Sequence, residues 1–425
     1  MKYPVLLSAA ILTCVSVSAQ FQISSFSRDG SLVISNSFTN GVCTVERSED
    51  ITAGWQPAKN IFTIADSARV VVPPSGPISF YRLQALDLSS GRAGFTNLTR
   101  AYGLLSTVAG AGGVGTDGVN KWQTEFEGGP AVNAFLSRPH IAMADAAGNI
   151  FIADKDAHAI RKVTTDGLIH TVAGTNGPGN APDEPTDATE VGLSQPNGLW
   201  VKPDGTTYIL DLVNGKIRKL DTNGMLSTLF AVPGGIVAGR GLWVNDTETL
   251  AYVASGTIVK KWTPDDGVTD LASGFVELGN LVVNPWGKLV ITDRRGHRVW
   301  RIEDDGTKTA IAGNGFTSSG GDGQLALQTG LNEVRGVWFI PTGAYFVCTH
   351  RGSQVWYVDT AGYIHLFLNG STSNTHSGDG TWFYDPFRSS VSENRAITAD
   401  FDGNLLITEN DSGYIRKVTF LPFVQ

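Results

Sequence analysis

From Gly103 to the C-terminus, short runs of alternating apolar and polar residues recur with turn residues between them. One eight-residue pattern that begins with glycine returns six times along this stretch. Its copies are GLLSTVAG at 103, GLIHTVAG at 167, GMLSTLFA at 224, GVTDLASG at 267, GTKTAIAG at 306 and GYIHLFLN at 362. Alternation with a period of two is typical of a β-strand with one buried face, so the pattern predicts the same strand six times.

A longer block recurs between these strands, starting near positions 138, 195, 239, 279, 334 and 394. Each copy contains an apolar inner strand, a turn of the DAAG or KPDG kind, a second strand ending at a polar residue, and a third strand. The block and the single strand together predict a four-stranded unit, and a repeated unit of this size is typical of propellers.

The order of the units predicts how the chain closes. A single strand comes first, five complete units follow, and the last block at 394–420 stops after its third strand. The strand at Gly103 is therefore expected to complete the last unit, which closes a ring of six and leaves no open sheet edge.

The PDG turns, the D-x-x-x-H-x-I-R-K segment from Asp154 to Lys162 and the S-T-V-A-G strand recur in a fixed order. In these features residues 103–420 resemble the NHL-repeat propellers of secreted bacterial proteins. The resemblance implies an all-β fold in which residues 102–425 form a six-bladed β-propeller (NHL-like), closed by an N-terminal strand.

Residues 20–90 contain short alternating segments such as SLVISNSF and VCTVERS, separated by turns such as Asn40-Gly41. This pattern predicts a small β-sandwich in front of the propeller. The segment resembles the fibronectin-like modules that precede other domains in secreted bacterial proteins, with Trp55 and the stretch from Phe80 to Arg82 in familiar places. Residues 91–101 are predicted to be a polar linker, so we expect the front domain to be separable.

The N-terminus has the features of a secretory signal peptide. Lys2 precedes an apolar run from Val5 to Val17, and small residues follow up to Ala19. Residues 1–19 are therefore predicted to be removed, which leaves a secreted protein, extracellular or periplasmic, without a membrane anchor. Only Cys43 and Cys348 remain after cleavage, too few for a disulfide framework or a cysteine metal site.

Composition excludes further classes of function. The 50 glycines are about 12% of the chain but follow no strict period, so a collagen-like fold is excluded. The net charge is −8 and the 32 lysines and arginines form no dense run, so we expect neither nucleic acid nor a membrane surface as a partner.

A column of polar residues opens the inner strands of the six blocks. Its members are His140, Asn197, Arg240, Asn280, Arg335 and Arg395. In a propeller these positions converge at the mouth of the axial channel, where guanidinium and amide groups can bind a carboxylate, phosphate or sulfate. The alternative is a polar rim around a water-filled channel.

The residues that end the second strands refine this prediction. They are Asp154, Asp211, Ser255, Asp293, Thr349 and Glu409. Arg395 has Glu409 in its own unit, whereas the units of Arg240 and Arg335 contain Ser255 and Thr349. We therefore expect Arg240 and Arg335 to be the better anion ligands, unless Asp293 pairs with them.

Long loops between units are the other candidate contacts, because binding residues often lie on variable loops. Trp122 and Trp382 lie on such loops and can stack on a glycan or a protein partner. Trp200, Trp243 and Trp338 recur at one inner-strand position and are interpreted as packing residues. The loop aspartates Asp117, Asp322 and Asp379 favour turn chemistry over calcium binding, because each stands nearly alone.

Two functions stay open at this point. The first is a secreted binding or interaction protein that uses the upper face for an unknown protein, a glycan or a small anionic ligand. The alternative is a hydrolase or lyase at the axial channel mouth, lactonase-like or metal-dependent. The ring lacks carboxylates, His350 is interpreted as standing alone, and no catalytic motif occurs in a fitting context. The sequence therefore favours binding and predicts no catalytic residue, metal or cofactor.

Overall fold

The computed structural model describes residues 21–422 apart from positions 53, 77, 114 and 371–376. The predicted signal peptide lies outside these residues. Within the described residues, regular structure is almost entirely β-strand, with one α-helix, as the all-β prediction requires. No helix among the described residues is long and apolar enough to cross a membrane.

The front module consists of two three-stranded antiparallel sheets. Its strands are β1 (Gln22–Phe26), β2 (Ser31–Ser35), β3 (Gly41–Ser48), β4 (Gln56–Thr63), β5 (Ser67–Val71) and β6 (Phe80–Asp87). One sheet has the order β1-β2-β5 and the other β4-β3-β6. Alternate apolar residues such as Leu32, Ile34, Cys43 and Val45 form its small core.

Residues 91–101 form a packed helical element instead of the predicted polar linker. Helix α1 (Arg92–Ala101) buries Phe95, Leu98 and Ala101 on one face. These side chains belong to a core that also contains Val42 of the front module and Phe367 of the propeller. Since α1 joins both parts through apolar contacts, it fixes the front module against the repeat array.

Strand β7 (Leu104–Ala109) follows the helix, and the chain then builds three sheets in order. The first contains β8 (Pro139–Ala144), β9 (Ile150–Asp154), β10 (Ala159–Val163) and β11 (Ile169–Ala173). The second contains β12 (Thr186–Asp187), β13 (Pro196–Val201), β14 (Thr207–Asp211), β15 (Lys216–Leu220) and β16 (Met225–Ala231). The third contains β17 (Leu242–Val244), β18 (Ala251–Ser255), β19 (Ile258–Thr263) and β20 (Gly267–Ala272).

Three further sheets complete the array. The fourth contains β21 (Leu278–Val283), β22 (Leu289–Asp293), β23 (Arg298–Ile302) and β24 (Lys308–Ala312). The fifth contains β25 (Gln324–Leu325), β26 (Val334–Phe339), β27 (Tyr345–Thr349), β28 (Gln354–Val358) and β29 (Tyr363–Leu368). The sixth contains β30 (Thr381–Trp382), β31 (Asn394–Ala399), β32 (Leu405–Glu409) and β33 (Tyr414–Val418), together with β7. Short 3-10 turns occur at Thr124–Phe126, Ala131–Asn133, Lys155–Ala157 and Ala326–Gln328.

The sheets are the blades of a propeller, because their inner strands β8, β13, β17, β21, β26 and β31 contact one another in a closed cycle. The predicted closure is confirmed: β7 pairs antiparallel with β33, with Ala109 opposite Ile415 and Leu105 opposite Val418. We call the end where inner strands begin the upper face, and the opposite end the lower face.

Candidate functional site

The predicted polar ring lies where the inner strands begin at the upper face. Five of its members, all except Arg240, coincide with a β-bulge in the inner strand. In the fifth blade, for example, Val334 faces Thr349 while Gly336 faces Cys348, so Arg335 is the extra residue. A bulge turns a side chain away from the regular alternation of the strand, and bulges are common beside functional sites. The bulge lets a polar residue leave an otherwise apolar strand.

Two ring residues contact the backbone of other blades at this end of the channel. The Asn280 side chain of the fourth blade donates a hydrogen bond to the Arg395 carbonyl of the sixth at 3.4 Å. Asn197 of the second blade likewise donates to the Gly239 carbonyl, beside Arg240. Burial, followed by the charges of Arg395 and Arg240, holds the pKa of His140 well below its usual range, so this imidazole is neutral at pH 7.

The expected absence of carboxylates beside Arg240 and Arg335 is wrong. Arg240 Nη1 lies 3.2 Å from Glu277 Oε1, and Arg335 Nη2 lies 3.4 Å from Glu333 Oε2. Both glutamates come from the loops that lead into inner strands, which the second-strand column does not include. Each ring arginine therefore has one acidic partner on its outer nitrogens.

The second-strand carboxylates have other partners than predicted. Asp154, Asp211 and Glu409 each bind a fully buried arginine of the third strand in their own blade: Arg161 at 3.2 Å, Arg218 at 3.1 Å and Arg416 at 3.0 Å. Asp293 accepts hydrogen bonds from the backbone N–H groups of residues 276, 277 and 296. These carboxylates stabilise blades and loops, and they leave the ring arginines to other groups.

Arg395, predicted to pair with Glu409, instead lies 3.6 Å from Asp411 Oδ1. Asp411 also accepts from Arg138 Nε at 3.1 Å. Burial and the nearby positive charge of Arg240 lower the pKa of Arg395 to about 9. The guanidinium is thus close to other cations and only weakly compensated.

Several nitrogens of the ring are buried without a hydrogen-bond partner in the described part of the chain. They are the donors Nε and Nη1 of Arg335, Nε of Arg395 and Nε of Arg240, and the two ring nitrogens of His140, of which one donates and one accepts in the neutral imidazole. Arg335 is only 1% exposed. An unpaired buried donor costs about 1 to 3 kcal/mol, and more when charged, so the arginine nitrogens need an acceptor within the channel. A water cluster or a bound anion can supply it.

A second cluster adjoins the ring, and it corrects the interpretation of His350 as standing alone. His350 Nε2 lies 2.6 Å from Glu393 Oε2, and Nδ1 lies 3.4 Å from Glu333 Oε2. Burial opposes protonation of His350, but the two glutamates outweigh it and raise the pKa.

The ligand atoms of His350, Glu393 and Asp411 lie within 4.8 Å of one another, a spacing that a metal ion can use. The raised pKa of His350 favours the protonated imidazole, which cannot coordinate a metal ion. Asp411 also has arginine partners, so this cluster is less suited to a metal ion than to a proton.

Another column of the repeats contains charged residues of the site that the ring and second-strand columns leave out. The residue two positions before a ring member has a positive φ in five blades: Arg138, Gln195, Ala238, Glu333 and Glu393. Three of these are charged and contact the ring or its neighbours. The column two positions before the ring would therefore have identified Arg138, Glu333 and Glu393.

The structure places the predicted aromatic contacts away from the ring. Trp122 covers the Arg161 guanidinium, with its ring centroid 3.5 Å from Cζ. Trp382, in β30 beside the outermost strand of the sixth blade, is 38% exposed. The loop aspartates are also engaged: Asp117 pairs with Arg138, Asp322 with Arg92 and Asp379 with Arg416.

Comparisons with known proteins bear on the fold. No model of a known protein family matches the chain. Solved structures include a protein of unknown function from Bacteroides thetaiotaomicron, with a TM-score of 0.61, 13% identity and 94% of this chain and 98% of that chain covered. An auxiliary nutrient binding protein from Bacteroides ovatus matches with a TM-score of 0.56, 13% identity and coverage of 92% and 94%.

A curated relative matches only locally. A stretch of 105 residues is 30% identical to human Teneurin-1, and it spans 22% of this chain and 4% of Teneurin-1. At these identities the comparisons show the β-propeller fold alone.

Proposed function

We propose that this protein binds a small anionic group, a carboxylate or sulfate of a larger ligand, at the upper end of its axial channel. The observation that carries the proposal is the set of buried guanidinium and imidazole nitrogens without a partner. An anion oxygen would accept a charge-assisted hydrogen bond from an unpaired nitrogen of Arg335, either Nε or Nη1. The comparison with an auxiliary nutrient binding protein is consistent with a binding function.

The ring suits an anion better than a metal or a catalytic pair. Arg335, Arg395 and Arg240 supply charge, while His140 is neutral and can donate one hydrogen bond without adding repulsion. The acidic partners Glu277, Glu333 and Asp411 each engage an outer nitrogen and leave the Nε atoms unpaired. The side-chain amides of Asn197 and Asn280 donate to backbone carbonyls, and these hydrogen bonds support the ring.

The test is thermal stabilisation by anions at constant ionic strength. Sulfate and citrate are expected to raise the Tm of the parent protein, since a ligand at 100 times its Kd contributes about 2.7 kcal/mol. The variant Arg335→Gln should lose this increase, whereas Arg301→Gln, at an outward-lying pair with Glu303, should keep it. Equal increases in the parent and Arg335→Gln, or none in the parent, would show a water-filled polar channel instead.

The hydrolase or lyase alternative has one observation in its favour. His350 lies between Glu333 and Glu393, which raise its pKa, and an imidazolium in this position can act as a general acid. Turnover of lactone or ester substrates that is lost in His350→Gln would support this alternative. If neither lactone nor ester substrates are turned over and anions stabilise the protein, the binding function is supported.

The location and processing of the protein are also part of the proposal. We propose an exported NHL-type protein from which residues 1–19 are removed, and N-terminal sequencing of the mature chain would test this. A protein or glycan partner on the upper loops remains a prediction, for which pull-down with the Trp382→Ala variant as control is suited.

A further inference from the structure

A cavity of about 500 Å³ lies at the lower face, at the opposite end of the channel from the ring. One wall is β4 of the front module, and the other consists of the inner-strand ends and turns of several blades. Apolar side chains dominate its lining, among them Phe62, Met143, Trp200, Trp338 and Ile340. This size and composition are typical of pockets for small molecules.

Packing keeps the cavity open. Trp200 of the second blade and Trp338 of the fifth meet across the axis with ring centroids 6.2 Å apart, and Trp243 lies 6.1 Å from Trp200. Phe62 stacks on Phe420 at 4.4 Å, so its ring is held at the wall. Trp200 and Trp338, interpreted as packing residues, thus also form the floor of a preformed site.

Asn60 lies in the same wall and ties it to helix α1. It is 3% exposed and donates from Nδ2 to the Ala101 carbonyl at 2.7 Å. This hydrogen bond holds β4, and with it Phe62, at the side of the cavity.

The rim carries one carboxylate that is open to a cation. Lys59 pairs with Asp402 at 2.9 Å, and Lys202 donates to the Asp246 carbonyl at 2.8 Å and lies 4.0 Å from Glu248. Within the described part of the chain, no ion pair involves the Asp246 carboxylate, which is exposed. Asp246 is therefore the rim group that can pair with a cationic ligand.

We propose that the lower cavity binds a small apolar molecule with a protonated amine. The apolar body lies against Trp200 and Trp338, whose faces also attract a cation. The ammonium group lies at the acidic rim with Asp246. This site is separate from the anion site proposed at the upper face.

The test uses two fluorescent probes of equal size and opposite charge, dansylcadaverine and dansyl-6-aminohexanoate, with the full mature chain. We expect dansylcadaverine to bind at least tenfold more tightly, with the blue shift of an apolar site. Asp246→Asn should weaken its binding at least threefold, whereas the matched exposed control Asp265→Asn should not. Ala399→Leu, which fills the cavity, should abolish binding, and Arg335→Gln should leave it unchanged.

Other outcomes overturn the proposal. Equal binding of both probes would indicate a merely apolar surface, and binding of neither would exclude the site. Binding that survives both Asp246→Asn and Ala399→Leu would place the probe elsewhere. If Ala399→Leu fails to fold, the two probes and the Asp246 and Asp265 variants still decide, because both positions are exposed.

Discussion

The helix between the two parts of the protein allows a quantitative prediction. Phe95 of α1 is 2% exposed, stacks on His365 at 4.7 Å and lies edge-on to Tyr384. Removing a buried Phe side chain costs about 3 to 5 kcal/mol, because the transfer free energy is lost and a cavity remains. Native proteins have about 5 to 15 kcal/mol in total, so Phe95→Ala should lower stability by a large fraction.

Urea denaturation and thermal melting of Phe95→Ala against Arg100→Ala measure this effect. Arg100 is an exposed residue of the same helix, so its substitution controls for a change in helix propensity. Limited proteolysis should also cut Phe95→Ala near residues 88–103 before the parent is cut. If both variants lie within about 0.5 kcal/mol of each other, the segment behaves as the polar linker that the sequence predicts, and the packing described for α1 is wrong.

Two further predictions concern buried charges. Because its pKa is raised above the ordinary 6.5, His350 contributes stability that is present below that pH and lost as pH rises through the raised pKa. The Tm of the parent should therefore fall more between pH 6 and 9 than that of His350→Gln, and equal slopes would contradict this. For the pair of Asp154 and Arg161, Asp154→Asn should cost about 3 to 5 kcal/mol, since it leaves a buried charge unpaired. The double variant with Arg161→Met should lose less than the two single losses added, and strict additivity in urea melts would refute the coupling.

The polar ring shows what could be predicted of the candidate site. Six residues at equivalent repeat positions must converge in a closed propeller, so alignment of the repeats was enough to bring His140 and Arg395 together. Their ion-pair partners could not be assigned in this way. Glu277 and Asp411 belong to turns whose path differs from blade to blade, and a carboxylate in a turn can reach an arginine of a neighbouring blade.

Helix α1 shows a pattern that was present but was not recognised. Phe95, Leu98 and Ala101 are spaced at three residues, which is the spacing of one face of a helix. The polar residues between them, such as Asn97 and Arg100, gave the segment the composition of a linker. A single short helix has few apolar positions, so its burial depends on the surface that the neighbouring module offers.

The sequence by itself determined the repeat, the strand order and the closure by β7, because these follow from local alternation and from the count of strands. Only the tertiary structure decided which carboxylates reach the ring arginines. It also decided that the tryptophans at the lower face meet across the axis and that a cavity lies between them and β4. The contact between Trp200 and Trp338 joins residues more than a hundred positions apart, and Glu277 reaches Arg240 from a later loop. Such contacts depend on loop paths and on the docking of one module against another, which local periodicity does not encode.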